Sequence, residues 1–194
     1  MPGKVSNSDR MTRILFIIGS AREGSFNRQL SEIAKGFIGQ WAEVDYLEPT
    51  SVPFINQDIE FPVPDEVKLA RDKVDRADAL WIFTPEYNHG IPGSVKNLMD
   101  WLSRPLDPDD PERKSTAKGK KVMLTGAGGG KKTVFCRTSL KEILEFIGME
   151  VIDGEGRGFS LDRRAFSEGI WEPGPEVSEE IRQQAELLRN AVSQ

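Results

Sequence analysis

Short apolar runs alternate along this chain with longer segments whose apolar residues recur every three or four positions. Five runs have the length and the β-branched or aromatic content of strands: Arg13–Ile18, Glu43–Leu47, Ala79–Thr84, Lys121–Thr125 and Met149–Ile152. The first is apolar at consecutive positions, as expected of a strand covered on both faces of a parallel sheet. Phe26–Ile38 sets Leu30, Ile33, Ala34 and Phe37 at helical spacing, Asp65–Arg76 does so with Val67, Ala70 and Val74, and Ser94–Ser103 with Val95, Leu98, Met99 and Leu102. Thr138–Ile147 reads as a helix closed by Gly148. Ser178–Val192 reads as a last helix, with Ser178 as its cap and Glu179 and Glu180 in its first turn.

Strands alternating with helices at this spacing predict βαβ units and an α/β fold, a doubly wound five-stranded parallel sheet with helices on both faces. Five strands fit the order 2-1-3-4-5, in which ligands sit beyond the carboxyl ends of the strands, beside the switch between strands one and three. Residues 1–10 are polar, with Pro2 and Gly3, and are expected to be a flexible tail; residues 11–194 are expected to form one domain. Pro105–Lys118, dense in Pro, Asp and Lys, is expected to be a surface excursion.

Composition narrows the chemistry. A net charge of -5 argues against nucleic acid as the main partner, since that needs concentrated Lys and Arg, although a few backbone amides still suffice for one small phosphate. The single cysteine, Cys136, excludes an internal disulfide framework and a cysteine-ligated cluster, and the single histidine, His89, argues against a metal site. Ile14–Ile18 is too short to span a membrane, and a cytoplasmic protein without a membrane partner is the expectation.

Two loops stand at the carboxyl ends of predicted strands. Gly19–Asn27 combines glycines, the hydroxyls of Ser20 and Ser25, the guanidinium of Arg22 and the start of a helix, all of which favour a bound monophosphate. Its spacing contains G-x-x-x-x-G, but Ser25 and Phe26 follow where a nucleotidase loop needs Lys and then Ser or Thr; Ala21 spoils a dinucleotide fingerprint. The second loop runs from Thr84 through Pro85, Glu86, Tyr87, Asn88, His89 and Gly90 to Pro92 and Gly93. Its prolines stiffen the backbone and Tyr87 offers a flat amphipathic surface, a combination suited to a planar heterocycle and equally found in plain turns.

Together the motifs G-S-x-R-x-x-S-x-N at Gly19–Asn27 and P-E-Y-N-x-x-x-P-G-x-x-K-N-x-x-D-W at Pro85–Trp101 resemble the NADPH-dependent FMN reductase family, which includes quinone, chromate and azo-dye reductases. The likeness extends from about Arg13 to the end of the chain and implies a flavodoxin-like fold. It implies further that Ser20, Arg22, Ser25, Phe26 and Asn27 hold the FMN phosphate end, and that Pro85, Glu86, Tyr87 and Asn88 line the isoalloxazine. A third, glycine-rich loop after the fourth strand, Gly126–Gly130, with Gly126, Ala127 and Gly128 at the ring, would complete the ring pocket; family members often carry serines there. By the same resemblance the flavin passes hydride in a ping-pong cycle from NADPH or NADH to quinones, flavins, azo compounds or metal oxyanions. No protein residue is then catalytic, and a homodimer or homotetramer is implied.

Other residues have plainer readings. Glu86 is read as a loop-fixing carboxylate, His89 as a solvent-edge residue, and Lys131 and Lys132 as a solvated pair. Trp101 is read as core or subunit interface, and Cys136 as a small buried apolar residue. An electron-carrier flavodoxin would carry a Thr-containing phosphate loop and lack Pro-Glu-Tyr-Asn. A signalling receiver would need an acidic cluster and a phosphoacceptor Asp where Gly19-Ser20 and Thr84-Pro85 stand.

Overall fold

The computed structural model describes residues 10–193. The tail expected over residues 1–10 therefore lies, apart from Arg10, outside the described residues. Five strands, β1 (Thr12–Ile18), β2 (Ala42–Leu47), β3 (Ala79–Phe83), β4 (Lys121–Gly128) and β5 (Glu150–Ser160), form one sheet in the order β2-β1-β3-β4-β5. Every pairing is parallel. This is the flavodoxin-like arrangement, and it makes β1 and β3 neighbours at the switch point.

Because β1 is apolar at successive positions, alternate side chains feed two cores. Leu15 and Ile17 share one core with Val67, Ala70 and Val74 of α2 (Asp65–Arg76), Val95, Leu98 and Met99 of α3 (Gly93–Ser103), and Leu140 and Leu144 of α4 (Val134–Phe146). Ile14, Phe16 and Ile18 share the other with Leu30, Ala34 and Ile38 of α1 (Phe26–Ile38) and Ile181, Ala185 and Leu188 of α6 (Pro175–Val192). Burying each of the Val, Leu, Ile, Phe and Met side chains among these is worth about 1.5–3 kcal/mol, so the two-sided pattern holds the sheet between its helix layers. A short helix, α5 (Arg163–Glu168), bridges β5 and α6.

Four boundaries differ from expectation for identifiable reasons. β4 continues through Gly126, Ala127 and Gly128, because these pair with Gly158, Phe159 and Ser160 of β5; the supposed third loop begins inside a strand. β5 spans 11 residues, Glu150–Ser160, and runs well past the apolar run Met149–Ile152, with a register shift opposite Met123–Thr125 where Asp153, Gly154 and Gly156 take positive φ. Its glycines and charges hide the strand from propensity, and pairing with β4 decides it. α4 starts at Val134 rather than Thr138, and α6 is capped at Gly174 with Pro175 in its first turn, so Ser178 lies inside the helix. Among the described residues no helix is long and apolar enough to cross a membrane.

Candidate functional site

The chain segments that leave the carboxyl ends of β1, β3, β4 and β5 converge on a cleft of about 530 Å³. Of the expected site residues, Ser20, Arg22, Ser25, Phe26, Asn27, Pro85, Glu86, Tyr87, Ala127 and Gly128 line it. Asn88 and Gly126 do not. Gly126 is buried in β4, where a Cβ would overlap the Thr133 hydroxyl, and Asn88 sits at the tip of a turn.

The loop after β1 is built around the start of α1. The Gly19 amide donates to the Phe83 carbonyl at 2.8 Å, tying β1 to β3 where the loop begins. Ser25 caps α1 by accepting from the Arg28 amide at 3.4 Å, and Ser20 Oγ accepts from the Arg22 amide at 3.4 Å. Arg22 extends from this loop with its guanidinium carbon 4.8 Å from the centre of the Phe26 ring. Among the described residues it forms no ion pair, so its charge faces the cleft uncompensated.

Asn27 is engaged elsewhere. Its Nδ2 donates to the Ala127 carbonyl at 3.2 Å and its Oδ1 accepts from the Ala127 amide at 2.8 Å. The β3–β4 ladder ends with Thr84 N donating to Thr125 O, so the next backbone pair on that edge of β4 has no strand beside it. The Asn27 carboxamide takes the place of one peptide unit of the missing strand. Its side chain thereby joins the phosphate-loop helix to the glycine-rich end of β4.

The loop after β3 has two fixings. Tyr87 and Gly90 exchange backbone hydrogen bonds of 3.2 and 2.9 Å, with Asn88 and His89 at φ 52° and 59° between them, a tight turn of the type I′ kind. Tyr87 itself is half exposed at the cleft. Glu86 Oε2 accepts from the Cys136 amide at 2.9 Å, in the first turn of α4. The residue preceding that helix, Thr133, is left-handed and makes no capping bond of its own. Glu86 therefore supplies the acceptor that α4 lacks, and the negative charge suits a helix N-terminus. Beside it the Cys136 thiol is buried 3.7 Å from the Thr84 hydroxyl, and burial pushes its pKa up to about 11, which keeps it protonated and unreactive near neutrality.

The second half of the long motif holds the scaffold. Asn97 Oδ1 accepts from the Ile55 amide at 2.8 Å while its Nδ2 donates to the Pro53 carbonyl at 2.9 Å, and Trp101 Nε1 donates to the same carbonyl at 2.8 Å. Lys96 pairs with Asp100 at 2.7 Å along α3. Trp101 is buried in the core, so the K-N-x-x-D-W part of the motif pins the β2–α2 loop to α3. His89 stacks on Phe135 with ring centres 4.3 Å apart, outside the cleft, and Lys131 and Lys132 are exposed.

One wall escaped sequence reasoning altogether. Leu161, Ala165, Phe166, Glu168 and Gly169, in and around α5, line the cleft together with Gly129, which the sequence places in the third loop. A local signal exists: Asp162 caps α5 by accepting from the Ala165 amide at 2.9 Å, and Gly169 ends the helix at φ 72°. Six residues framed by a cap and a glycine are too few to show an apolar period.

A family model described as NADPH-dependent FMN reductase matches residues 12–160. An NAD(P)H-dependent FMN reductase of Pseudomonas aeruginosa is 29% identical over 179 residues, 91% of this chain and 93% of the relative. A quinone reductase of Escherichia coli K12 is 32% identical over 148 residues, 73% of each chain. The solved structure of a flavoenzyme NAD(P)H:(acceptor) oxidoreductase from Paracoccus denitrificans superposes with a TM-score of 0.80 at 21% identity, covering 94% of this chain and 97% of that one.

Proposed function

We propose that this chain, which belongs to the NADPH-dependent FMN reductase family, is an FMN-dependent NAD(P)H oxidoreductase that passes electrons to quinones, flavins, azo compounds or metal oxyanions. The observation that carries the reading is the pairing, in one cleft, of an anion-binding end with a flat, backbone-lined end. At the first end Ser20, Arg22 and Ser25 stand at the N-terminus of α1, whose free amides and positive dipole end favour a phosphate. Arg22 fits the group well because no carboxylate among the described residues competes for it. At the other end Pro85, Glu86 and Tyr87 face Ala127, Gly128 and Gly129, with the Tyr87 phenol half exposed, a lining suited to a planar ring system.

When bound, FMN supplies the redox chemistry, taking hydride from NADPH or NADH and releasing electrons to the acceptor. The protein's part is to hold and orient. Ser20, Arg22 and Ser25 bind the phosphate, while Asn27 sets the distance between α1 and β4 so that both ends of the cleft are addressed at once. Glu86 and the Tyr87–Gly90 turn keep the ring-side loop rigid. No nucleophile is required, and the protonated Cys136 thiol stays out of the chemistry.

Assembly as a homodimer or homotetramer belongs to the same reading, supported by the exposed apolar side chains of Phe54, Ile59 and Phe61 in one loop. Purified protein is expected to be yellow and to oxidise NADPH or NADH when offered a panel of quinones, azo dyes, ferric complexes and free FMN. A colourless preparation that takes up no added FMN would overturn the reading. A single monomer boundary in sedimentation would remove the oligomer from it.

A further inference from the structure

We infer that Gly169 and Phe26 are positioning residues that form a slot for the Arg22 guanidinium and so make it a pre-set phosphate clamp. This rests on the FMN reading above and deepens it.

Arg22 touches two surfaces that come from distant parts of the chain. On one side is the Phe26 ring, 4.8 Å from the guanidinium carbon. Phe26 is itself braced edge-on by Trp171, with ring centres 6.0 Å apart, and the Trp171 carbonyl accepts from Gln29 Nε2 at 3.0 Å. Trp171 is buried, so this side of the slot is anchored to α1. On the other side is the backbone of Gly169, where α5 ends at φ 72°. A Cβ on Gly169 would come within 2.9 Å of Arg22 Nη2. Ser20, Ser25, Phe26 and Gly169 all line the same cleft as Arg22.

A long, exposed cation without a carboxylate partner ordinarily samples many rotamers and must be ordered when an anion binds. Here Glu168, the carboxylate nearest in sequence to Gly169, is paired with Arg164 at 3.4 Å. The Phe26 face and the Gly169 backbone restrict Arg22 without neutralising it. That is pre-organisation: the ordering cost is met by the fold before the ligand arrives. A Cβ at Gly169 pushes on the far end of a flexible side chain, so the guanidinium leaves its slot, and a residue that tolerates the positive φ there, such as Asn, disturbs the surrounding fold least. The signature is thus a loss of phosphate recognition with little loss of stability.

The test titrates full-length, flavin-stripped protein with FMN and with riboflavin, following flavin fluorescence, beside a thermal melt of each variant. Arg22→Ala is expected to reduce the preference for FMN over riboflavin about 10–100-fold, the loss of a charge-assisted contact. Gly169→Asn and Phe26→Leu are expected to reduce it about 3–10-fold, FMN losing more affinity than riboflavin, through weaker pre-organisation. Asn tolerates positive φ, so Gly169→Asn separates loss of the slot from backbone strain; Gly169→Ala should follow the same direction with a lower melting temperature. In the Arg22→Ala background, Gly169→Asn should have no further effect on the preference. Equal weakening of FMN and riboflavin by Gly169→Asn, or full additivity with Arg22→Ala, would overturn the inference. Wild-type protein that binds neither flavin would instead overturn the functional reading beneath it.

Discussion

Asn27→Ala separates two roles that the phosphate-loop motif alone cannot distinguish. If Asn27 held a ligand, its loss would matter only when the ligand is present. In the structure its carboxamide closes the open edge of β4, with bonds of 2.8 and 3.2 Å to both backbone groups of Ala127, and it is only 3% exposed. Alanine leaves a buried N–H and a buried C=O without partners, at about 1–3 kcal/mol for an unsatisfied donor and less for a carbonyl, so about 2–4 kcal/mol in all. Water entering from the adjoining cleft would pull the figure toward the lower end. For a chain of this length about 3 kcal/mol corresponds to a drop of about 6–12 °C in Tm. The assay is a far-ultraviolet circular dichroism melt of flavin-free protein, where no ligand contact can contribute. Asn27→Asp keeps the acceptor for the Ala127 amide and sets an oxygen against the Ala127 carbonyl, so it too melts early, and its deficit shrinks as falling pH restores a proton that can be donated. A flavin-free Asn27→Ala protein melting within about 1 °C of wild type would refute the lock. If FMN affinity were nonetheless lost, Asn27 would be a ligand contact after all.

Three further outcomes follow from the same geometry. Glu86→Ala should lower stability by about 1 kcal/mol, since α4 loses the acceptor at its Cys136 amide, whereas Glu86→Gln keeps an oxygen there and should lose much less; equal melting temperatures for the two would mean that charge, not the bond, is what counts. Cys136 is held protonated up to about 11 in the fold, while an unfolded cysteine titrates at about 8.5, so the unfolded chain loses its proton first and stability declines as pH rises through this window. About 2 kcal/mol should be lost between pH 8 and 10 in urea unfolding, and Cys136→Ala should flatten that slope; Tyr46, also pushed up by burial, contributes only at higher pH. Gln184, buried beside the sheet, accepts from the Thr125 hydroxyl at 2.7 Å and donates to the Leu124 carbonyl at 3.0 Å, so Gln184→Leu should cost about 2–4 kcal/mol, read as a lower urea midpoint at unchanged m; a midpoint within error of wild type would show that these groups find other partners.

Much of this protein was determined locally and could therefore be read from its sequence. α1 and α2 run over the residues their apolar spacing marks, and β1, β2 and β3 match to within one residue at either end, because period and buried apolar runs are properties of neighbouring residues. The alternation of strands and helices also carried the layer architecture, and the two loops at the ends of β1 and β3 were visible as breaks in that alternation. What required the tertiary structure is every feature whose partner lies far along the chain. The glycine-rich end of β4 is strand because β5 pairs with it, and β5 extends past its apolar run for the same reason. Asn27 meets Ala127 across 100 positions, a lock between helix and sheet that the phosphate-loop motif does not announce. Arg22 meets Gly169 only because the segment after α5 lies against the start of α1, a wall with no apolar period to announce it. Hydrophobic periodicity reports which face of an element is buried; it does not report which polar groups of another element will be waiting there, and the site is assembled from those meetings.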